Sequence, residues 1–537
     1  MSYTGVIGEL PLGGRGLTGT KNIAATTPDQ LLDSNNITYE ASTLQKEGGA
    51  LKYNSTAVSG TPRIIGGHEF SPNSSIDRMI IVTTTGSAGE ILLDTGGGTF
   101  GTKLTTGLSS VNASSPVFVE SGKTTATGTK DLFIYTGTNT PQVLGGTGAT
   151  VAAIAFTPSD WAATGDSHPI GGFVHENRNW AFGPSSRPHY AYYTTATDHQ
   201  QFASGGVVAI YPGEGDGLIA GASFKGLAVI WKTPKGIYGI DTSSATITNW
   251  RVIRLTDAIG IAGPNAWTMI DNDILFMDNE ANIQLISAVN AFGDMSNNNL
   301  SQIADLKPFL RDNASLTKNN LYQTKMIYYA EKREAHITMA SLGATIQNRR
   351  LVVDFNGQTP RFRWSDRDVC ESIWLRKDSN GRRRPAIGTS GGYVYDLDQE
   401  SRSLEDTTTT GTSGYNGQFQ TAHTDFGYLD PALATKRKNG QFLEVAVEPK
   451  GNWNLSVDVL WDGSIVETLQ FNMGNTGATL GSFVLDTDVL TENQVINKRK
   501  KMTGGGRRFS VIGRNSGDGQ DFSVAKMYAH FKPGDER

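Results

Sequence analysis

The sequence predicts an all-β protein: a β-propeller of six or seven blades, a C-terminal β-sandwich domain, and an N-terminal arm before them. Three observations predict it. Gly is abundant (63 of 537 residues), while hydrophobic residues make up 37% and charged residues 18%, a mix suited to many short strands joined by tight turns. Almost no long stretch carries apolar residues at helical spacing. Short apolar runs, paired about a turn, recur along most of the chain. The clearest pair is Leu227–Trp231 and Gly236–Asp241, rich in β-branched and aromatic residues. Between them Pro234 fixes φ and Gly236 can take the positive φ that closes a hairpin.

Residues 1–60 read as an arm with first strands. Gly8–Gly16 is Gly-rich and without period, either a flexible terminus or an arm that completes a sheet or grips a neighbour. Thr27 as N-cap and Pro28 at the first helical position predict a short helix through Leu32. Ile37–Tyr39 and Leu51–Tyr53 read as strands.

From 61 to 410 the hairpin pattern repeats. Arg78–Thr83 pairs with Gly89–Asp94, Asp131–Tyr135 with Pro141–Leu144, and Trp180–Phe182 precedes His189–Tyr193. Further on, Asp273–Met277 pairs with Asn282–Ile286, and Arg384–Ile387 with Gly392–Tyr395. Met326–Tyr329, His336–Met339, Arg350–Asp354 and Phe362–Trp364 form a full four-strand set. The second runs start near 89, 141, 189, 236, 282, 337 and 392, steps of roughly 45–55 residues that match propeller blades. One or two irregular β-sandwiches are the competing architecture. Near 297–311, Leu300, Ile303, Leu306 and Leu310 stand at helical spacing and predict one short helical insert, with Pro308 kinking it or ending a first turn.

The polar stretch Glu405–Gly414 marks a domain boundary. Beyond it, over 411–537, Phe442–Val447, Leu455–Leu460, Glu467–Phe471, Arg508–Ile512 and Phe522–Phe531 alternate apolar with polar, the pattern of an antiparallel sheet with one wet face. Asp462-Gly463 predicts a type I′ turn.

Little points to catalysis, and no catalytic residue, cofactor or metal site is expected. The formal net charge is −5 with a pI near 6.0, which argues against a surface that clings throughout to nucleic acid. Eight His are scattered without a His-Glu-x-x-His or Cys-x-x-Cys pair. The single Cys370 excludes an internal disulfide and reads as a packed thiol. Asp378–Gly381 resembles a calcium loop faintly and reads as a turn; Gly96–Lys103 lacks the spacing of a phosphate loop. The start at Met1 shows neither a basic nor an apolar segment of a signal peptide, and no run approaches a membrane-spanning length. Four basic clusters are more specific: Arg382, Arg383 and Arg384; Lys436, Arg437 and Lys438; Lys498, Arg499, Lys500 and Lys501; Arg507 and Arg508. They read either as solvated turns or as contacts to an acidic neighbouring subunit or to nucleic acid. Residues 411–537 hold fourteen Lys/Arg and fourteen Asp/Glu, a balance that favours subunit contacts.

The whole chain resembles the tail nozzle proteins of short-tailed bacteriophages, the group that includes tail tubular protein B and packaged-DNA stabilisation (tail hub) proteins. The resemblance rests on Leu10–Gly14, Asn35–Tyr39 and Leu44–Gly49 at the start, and on Asn177–Phe182, Tyr190–Tyr193 and Gly217–Ala222 in the middle. At the end it rests on Arg437–Lys438, Gly506–Ser510 and His530–Pro533. It implies a structural virion protein, made in the host cytoplasm and not an enzyme. It also implies a ring, of six subunits, below the head–tail adaptor protein, through which double-stranded DNA is held and then released, and which can meet tail fibres or the host surface. The alternatives are a propeller that binds or hydrolyses glycan, and a peripheral tail fibre or baseplate component.

Overall fold

The computed structural model describes residues 5–20, 26–40, 43–86, 88–109, 115–121, 129–154, 156–161, 167–203, 205–213, 217–287, 299–300, 305–357, 359–367, 369–405, 411–474 and 495–534. It is all-β, with six four-stranded blades arranged as a propeller. Blade 1 comprises Arg63–Asn73, Ile76–Thr85, Ala88–Leu93 and Thr102–Ser109; blade 2, Val117–Ser121, Asp131–Tyr135, Gln142–Leu144 and Val151–Ala153. Blade 3 comprises Gly171–His175, Arg178–Phe182, Tyr190–Tyr193 and Gly206–Ala209; blade 4, Leu218–Phe224, Leu227–Lys232, Ile237–Asp241 and Arg251–Thr256. A three-stranded sheet, Trp267–Ile270, Asp273–Met277 and Ile283–Leu285, stands between blades 4 and 5. Blade 5 is Met326–Tyr329, Glu334–Met339, Arg349–Asp354 and Arg361–Ser365. Blade 6 is Ser372–Lys377, Arg383–Gly388 and Val394–Gln399, with Gly49–Lys52 as its fourth strand, and the sheet runs on into Leu404–Glu405 and Thr412–Ser413.

The expected hairpins pair in register, among them Ile81 with Leu92, Leu132 with Leu144, Trp180 with Tyr193, Trp231 with Ile237 and Leu275 with Leu285. Gly236 has φ +112°, as the hairpin turn requires. Because a blade is apolar on both faces, each buries itself against the next. Trp231 of blade 4 stacks on Trp267 of the three-stranded sheet. The Ser372 hydroxyl of blade 6 donates to the Ile64 carbonyl of blade 1 at 2.7 Å, which closes the circle.

Outside the ring, two sheets face each other across one apolar cluster that includes Leu31, Ile37, Leu44, Phe419, Val445, Val457, Val511 and Phe531. One contains Val6–Leu10, Ile37–Glu40, Thr43–Lys46, Lys438–Val447, Ile496–Lys501 and Ser523–Pro533. The other contains Gln30–Asn35, Gly417–Thr421, Phe509–Asn515, Asn454–Trp461 and Ser464–Asn472, and runs on through Gly16–Leu17 into blade 5. The turn at Asp462-Gly463 has φ +50° and +85°, the positive pair of a type I′ turn.

The N-terminal segment is woven through both bodies. Val6 pairs with Phe531 and Leu10 with Met527, so this arm completes a sheet. Gly8 lies so close to the Phe426 ring that a Cβ there would sit 2.4 Å from it. The helix expected from Thr27 is absent: residues 27–30 turn, and Gln30–Asn35 is a strand. Pairing of Leu31 with Thr421, and burial of Leu31 in the core, outweigh the local capping signal. The helical insert also differs from expectation. Its described helices are Lys307–Asn313 and Lys318–Tyr322, and Pro308 falls in the first turn, where its missing N–H costs nothing. Residues 301–304, Ile303 among them, lie outside the described residues, while Leu300, Leu306 and Leu310 pack into the largest core cluster with Ile274 and Phe362. Of the polar stretch 405–414, residues 406–410 lie outside the described residues; Leu404 pairs with Ser413 across it.

Candidate subunit and nucleic-acid interface

Three of the four basic clusters lie in or directly beside one sheet. Among the described residues Ile496–Lys501 is its edge strand and pairs only with Lys438–Val447, Phe442 opposite Lys501 and Val447 opposite Ile496. Partners in an antiparallel pair share a face. Leu443 and Val445 point into the core, which puts Lys500 and Lys498 on that side, and leaves Arg499 and Lys501 on the outer face. At the sheet's margin the core side is open, so Arg499, Lys500 and Lys501 are all exposed. The Arg499 guanidinium lies 4.0 Å from the centre of the Phe442 ring, and Glu444 stands opposite it across the ladder. Lys498 is half-buried; its Nζ donates to the Gly474 carbonyl at 2.6 Å, and burial lowers its pKa.

Lys438 corrects the surface reading of its cluster. It is fully buried, and its Nζ donates to the carbonyls of Leu433 (2.7 Å), Lys436 (3.0 Å) and Arg507 (2.8 Å). The ammonium therefore ties two basic loops together from inside and cannot face DNA or a neighbour. Burial lowers its pKa, against the pull of Asp425 and Asp462. Around it, the Arg437 guanidinium donates to the Gly505 carbonyl at 3.2 Å, and the Arg507 and Arg508 backbone N–H groups donate to the Asp462 carboxylate at 2.9 Å. Arg437 and Arg507 are exposed, Lys436 and Arg508 half-buried.

Arg382, Arg383 and Arg384 stand apart, at the first hairpin of blade 6. Arg384 is engaged inside the blade, with its Nε 3.1 Å from Asp378 and an NH1 bond to the Asp398 carbonyl at 3.0 Å. Asp378 also accepts from the N–H groups of Asn380 and Arg382, so the faintly calcium-like loop is a turn closed by its own carboxylate. Cys370 is buried, its Sγ 3.6 Å from the Ser372 carbonyl. Among the described residues no group of three or more His, Cys, Asp or Glu is arranged to hold a metal ion, and no helix is long and apolar enough to cross a membrane.

A second polar constellation escaped the sequence reading. Glu47, from the N-terminal segment, meets Arg350 (3.0 Å), Arg363 (2.8 Å) and Arg367 (3.4 Å). Arg363 reaches on to Glu334 at 2.6 Å, and His336 lies 3.2 Å from Glu334. All six side chains are buried. Burial alone would push the Glu334 carboxyl up, but Arg363, His336 and Lys332 outweigh it and hold it at about 2. Glu47 is held well below the usual range in the same way, by its three arginines. Arg363 sits between Phe362 and Trp364, and this charge inside an apolar strand was the one signal available. The cluster joins blade 5 to the N-terminal segment and is structural.

No family model and no curated protein matches the sequence. Among solved structures the chain is similar to the computationally designed Ika8 protein, at 11% identity and a TM-score of 0.35, over 68% of this chain and 98% of that one.

Proposed function

We propose that this chain is a structural subunit of a short-tailed bacteriophage virion, one member of a tail nozzle ring that holds and then releases the genome. The observation that carries the reading is the exposed basic edge at Arg499, Lys500 and Lys501, with Arg437 and Arg507 in the loops that adjoin the same sheet. An edge strand offers unpaired N–H and C=O groups, and Lys or Arg on it discourages indiscriminate pairing while it attracts an acidic partner. In a ring such an edge meets the neighbouring subunit or the passing phosphates. The rest of the chain is net acidic, which limits drag on sliding DNA, because each phosphate contact adds salt-dependent affinity. The segments similar to nozzle proteins at the start and the end of the sequence share one apolar cluster, Leu10, Ile37 and Leu44 with Phe509 and Phe531. The ring would be a hexamer seated on the head–tail adaptor protein, and tail fibres or the host surface would be its further partners.

The test is charge reversal on that edge. A variant carrying Lys500→Glu and Lys501→Glu changes exposed side chains and spares Arg499, which packs on Phe442 opposite Glu444, so its melting temperature should stay close to that of the original chain. Supplied in trans to a phage that lacks the gene, it should yield heads without a completed tail tip and a sharp loss of infectious particles. Normal particle yield from a well-folded double variant would remove the observation on which the reading rests.

A further inference from the structure

Lys46 ends the strand Thr43–Lys46, and Asn515 ends Phe509–Asn515 in the sheet that faces it. Lys46 stands opposite the core residue Ile37, so its side chain is on the inner face of its sheet. It is 0% exposed, and Asn515 is 5% exposed. The Lys46 Nζ lies 3.4 Å from Asn515 Oδ1 and 3.2 Å from the Gly517 carbonyl oxygen. Both contacts are long for an ammonium, and among the described residues no carboxylate is bonded to it. The buried Lys438 ammonium, by contrast, meets three carbonyls at 2.7, 3.0 and 2.8 Å.

The surroundings fit this pair for reaction with each other. Gly417 pairs with Asn515, and a Cβ on it would stand 2.8 Å from Lys46 Cγ, so the missing side chain leaves the lysine stem its passage. The Asn515 Nδ2 donates to the Asn454 carbonyl and to Gln520 Oε1, both at 3.0 Å, which turns the carbonyl end of the amide toward Lys46. The Nζ lies 4.3 Å from the centre of the Tyr415 ring, and the Arg367 guanidinium lies 5.0 Å from the same ring. Burial lowers the Lys46 pKa to about 8; Asp521 and Asp518 oppose the shift, and Arg367 and Arg402 add to it. A desolvated lysine that sheds its proton more readily is a nucleophile, which an ammonium is not.

We infer that Lys46 and Asn515 join in an amide cross-link between the two sheets, formed by the chain itself. The lone pair of the neutral Nζ makes a bond to Asn515 Cγ, and the Cγ–Nδ2 bond breaks. Ammonia leaves with the two Nδ2 hydrogens and one proton from Nζ, so the step consumes no oxidant and no co-reactant. The new bond joins positions 469 residues apart and ties the N-terminal segment covalently to the C-terminal body. It is independent of the tail-nozzle reading, since it can form whatever the position of the chain in a particle.

The experiment is mass spectrometry of the full chain, fresh and after incubation above about pH 8, where the amine is neutral. The intact mass should be lower than that of the sequence by one ammonia. Trypsin should release residues 22–52, uncleaved at Lys46, joined to residues 515–526. Lys46→Arg should keep the full mass of its sequence. On a denaturing gel the original chain, closed into a large loop, should run ahead of that variant. The peptide measurement is made on the original chain and decides the matter even if Lys46→Arg folds poorly. An intact mass that stays at the sequence value after incubation would overturn the inference. So would an ammonia loss confined to the Asn515 peptide, which marks a succinimide closed on the backbone and joins no second peptide.

Discussion

Replacing Glu47 with Gln is expected to destabilise the protein by about 3–5 kcal/mol, the usual cost of removing one partner from a buried charge cluster. The amide keeps the shape of the side chain but leaves Arg350, Arg363 and Arg367 buried around a neutral group. Glu334 alone would then face them, and it is already bonded to Arg363 and His336. A urea titration monitored by circular dichroism reads the loss as a lower midpoint; a change under about 1 kcal/mol would mean that the cluster does not anchor the N-terminal segment. The same cluster sets the response to acid. Glu47 and Glu334 bind protons less readily when folded than when unfolded, since their ordinary value is 4.5 and both are held below it. Their contribution is therefore complete above about 4.5 and is lost as pH falls, for Glu334 down to about 2. Burial also lowers the pKa of His336 from its ordinary 6.5, so the unfolded chain takes up that proton first and stability begins to decline below 6.5. The contribution of this cluster should thus fall in two stages as pH drops, and Glu47→Gln should flatten the lower one.

Trp231→Ala is expected to cost about 3–5 kcal/mol, because it empties a large apolar site where blade 4 meets the three-stranded sheet. Trp231 is 0% exposed and lies with Trp267 and Phe276 at ring separations of 6.1 Å. Its Nε1 has no hydrogen-bond partner among the described residues, so the loss is one of packing. Ile465→Ala, at a side chain 57% exposed, should stay within about 0.5 kcal/mol and serves as the comparison. Similar denaturation midpoints for the two variants would contradict the packed joint.

Much of the ring was legible in the sequence because its contacts are local. Leu227–Trp231 and Gly236–Asp241 carry their own period and their own turn, and a strand pairs with whatever lies a few residues away. What was hidden depends on partners far along the chain. Gly49–Lys52 has no hairpin partner beside it and adds to blade 6 opposite Tyr395 and Asp396. Gln30–Asn35 reads locally as the end of a helix, yet its neighbours are Gly16–Leu17 and Gly417–Thr421. The basic clusters were legible as charge but not as placement. Lys436, Arg437 and Lys438 are consecutive, but entry into the strand turns Lys438 inward, where three carbonyls receive it. The Glu47 cluster showed only as the Arg363 charge, for the same reason as the closing strand: its members come from positions about three hundred residues apart.

The central claim is that this chain forms part of a tail nozzle, and electron microscopy of phage particles labelled with antibody to the chain tests it most directly. Label at the axial tip of a short tail is the predicted result. Label on lateral appendages, or particles that carry none, would contradict it.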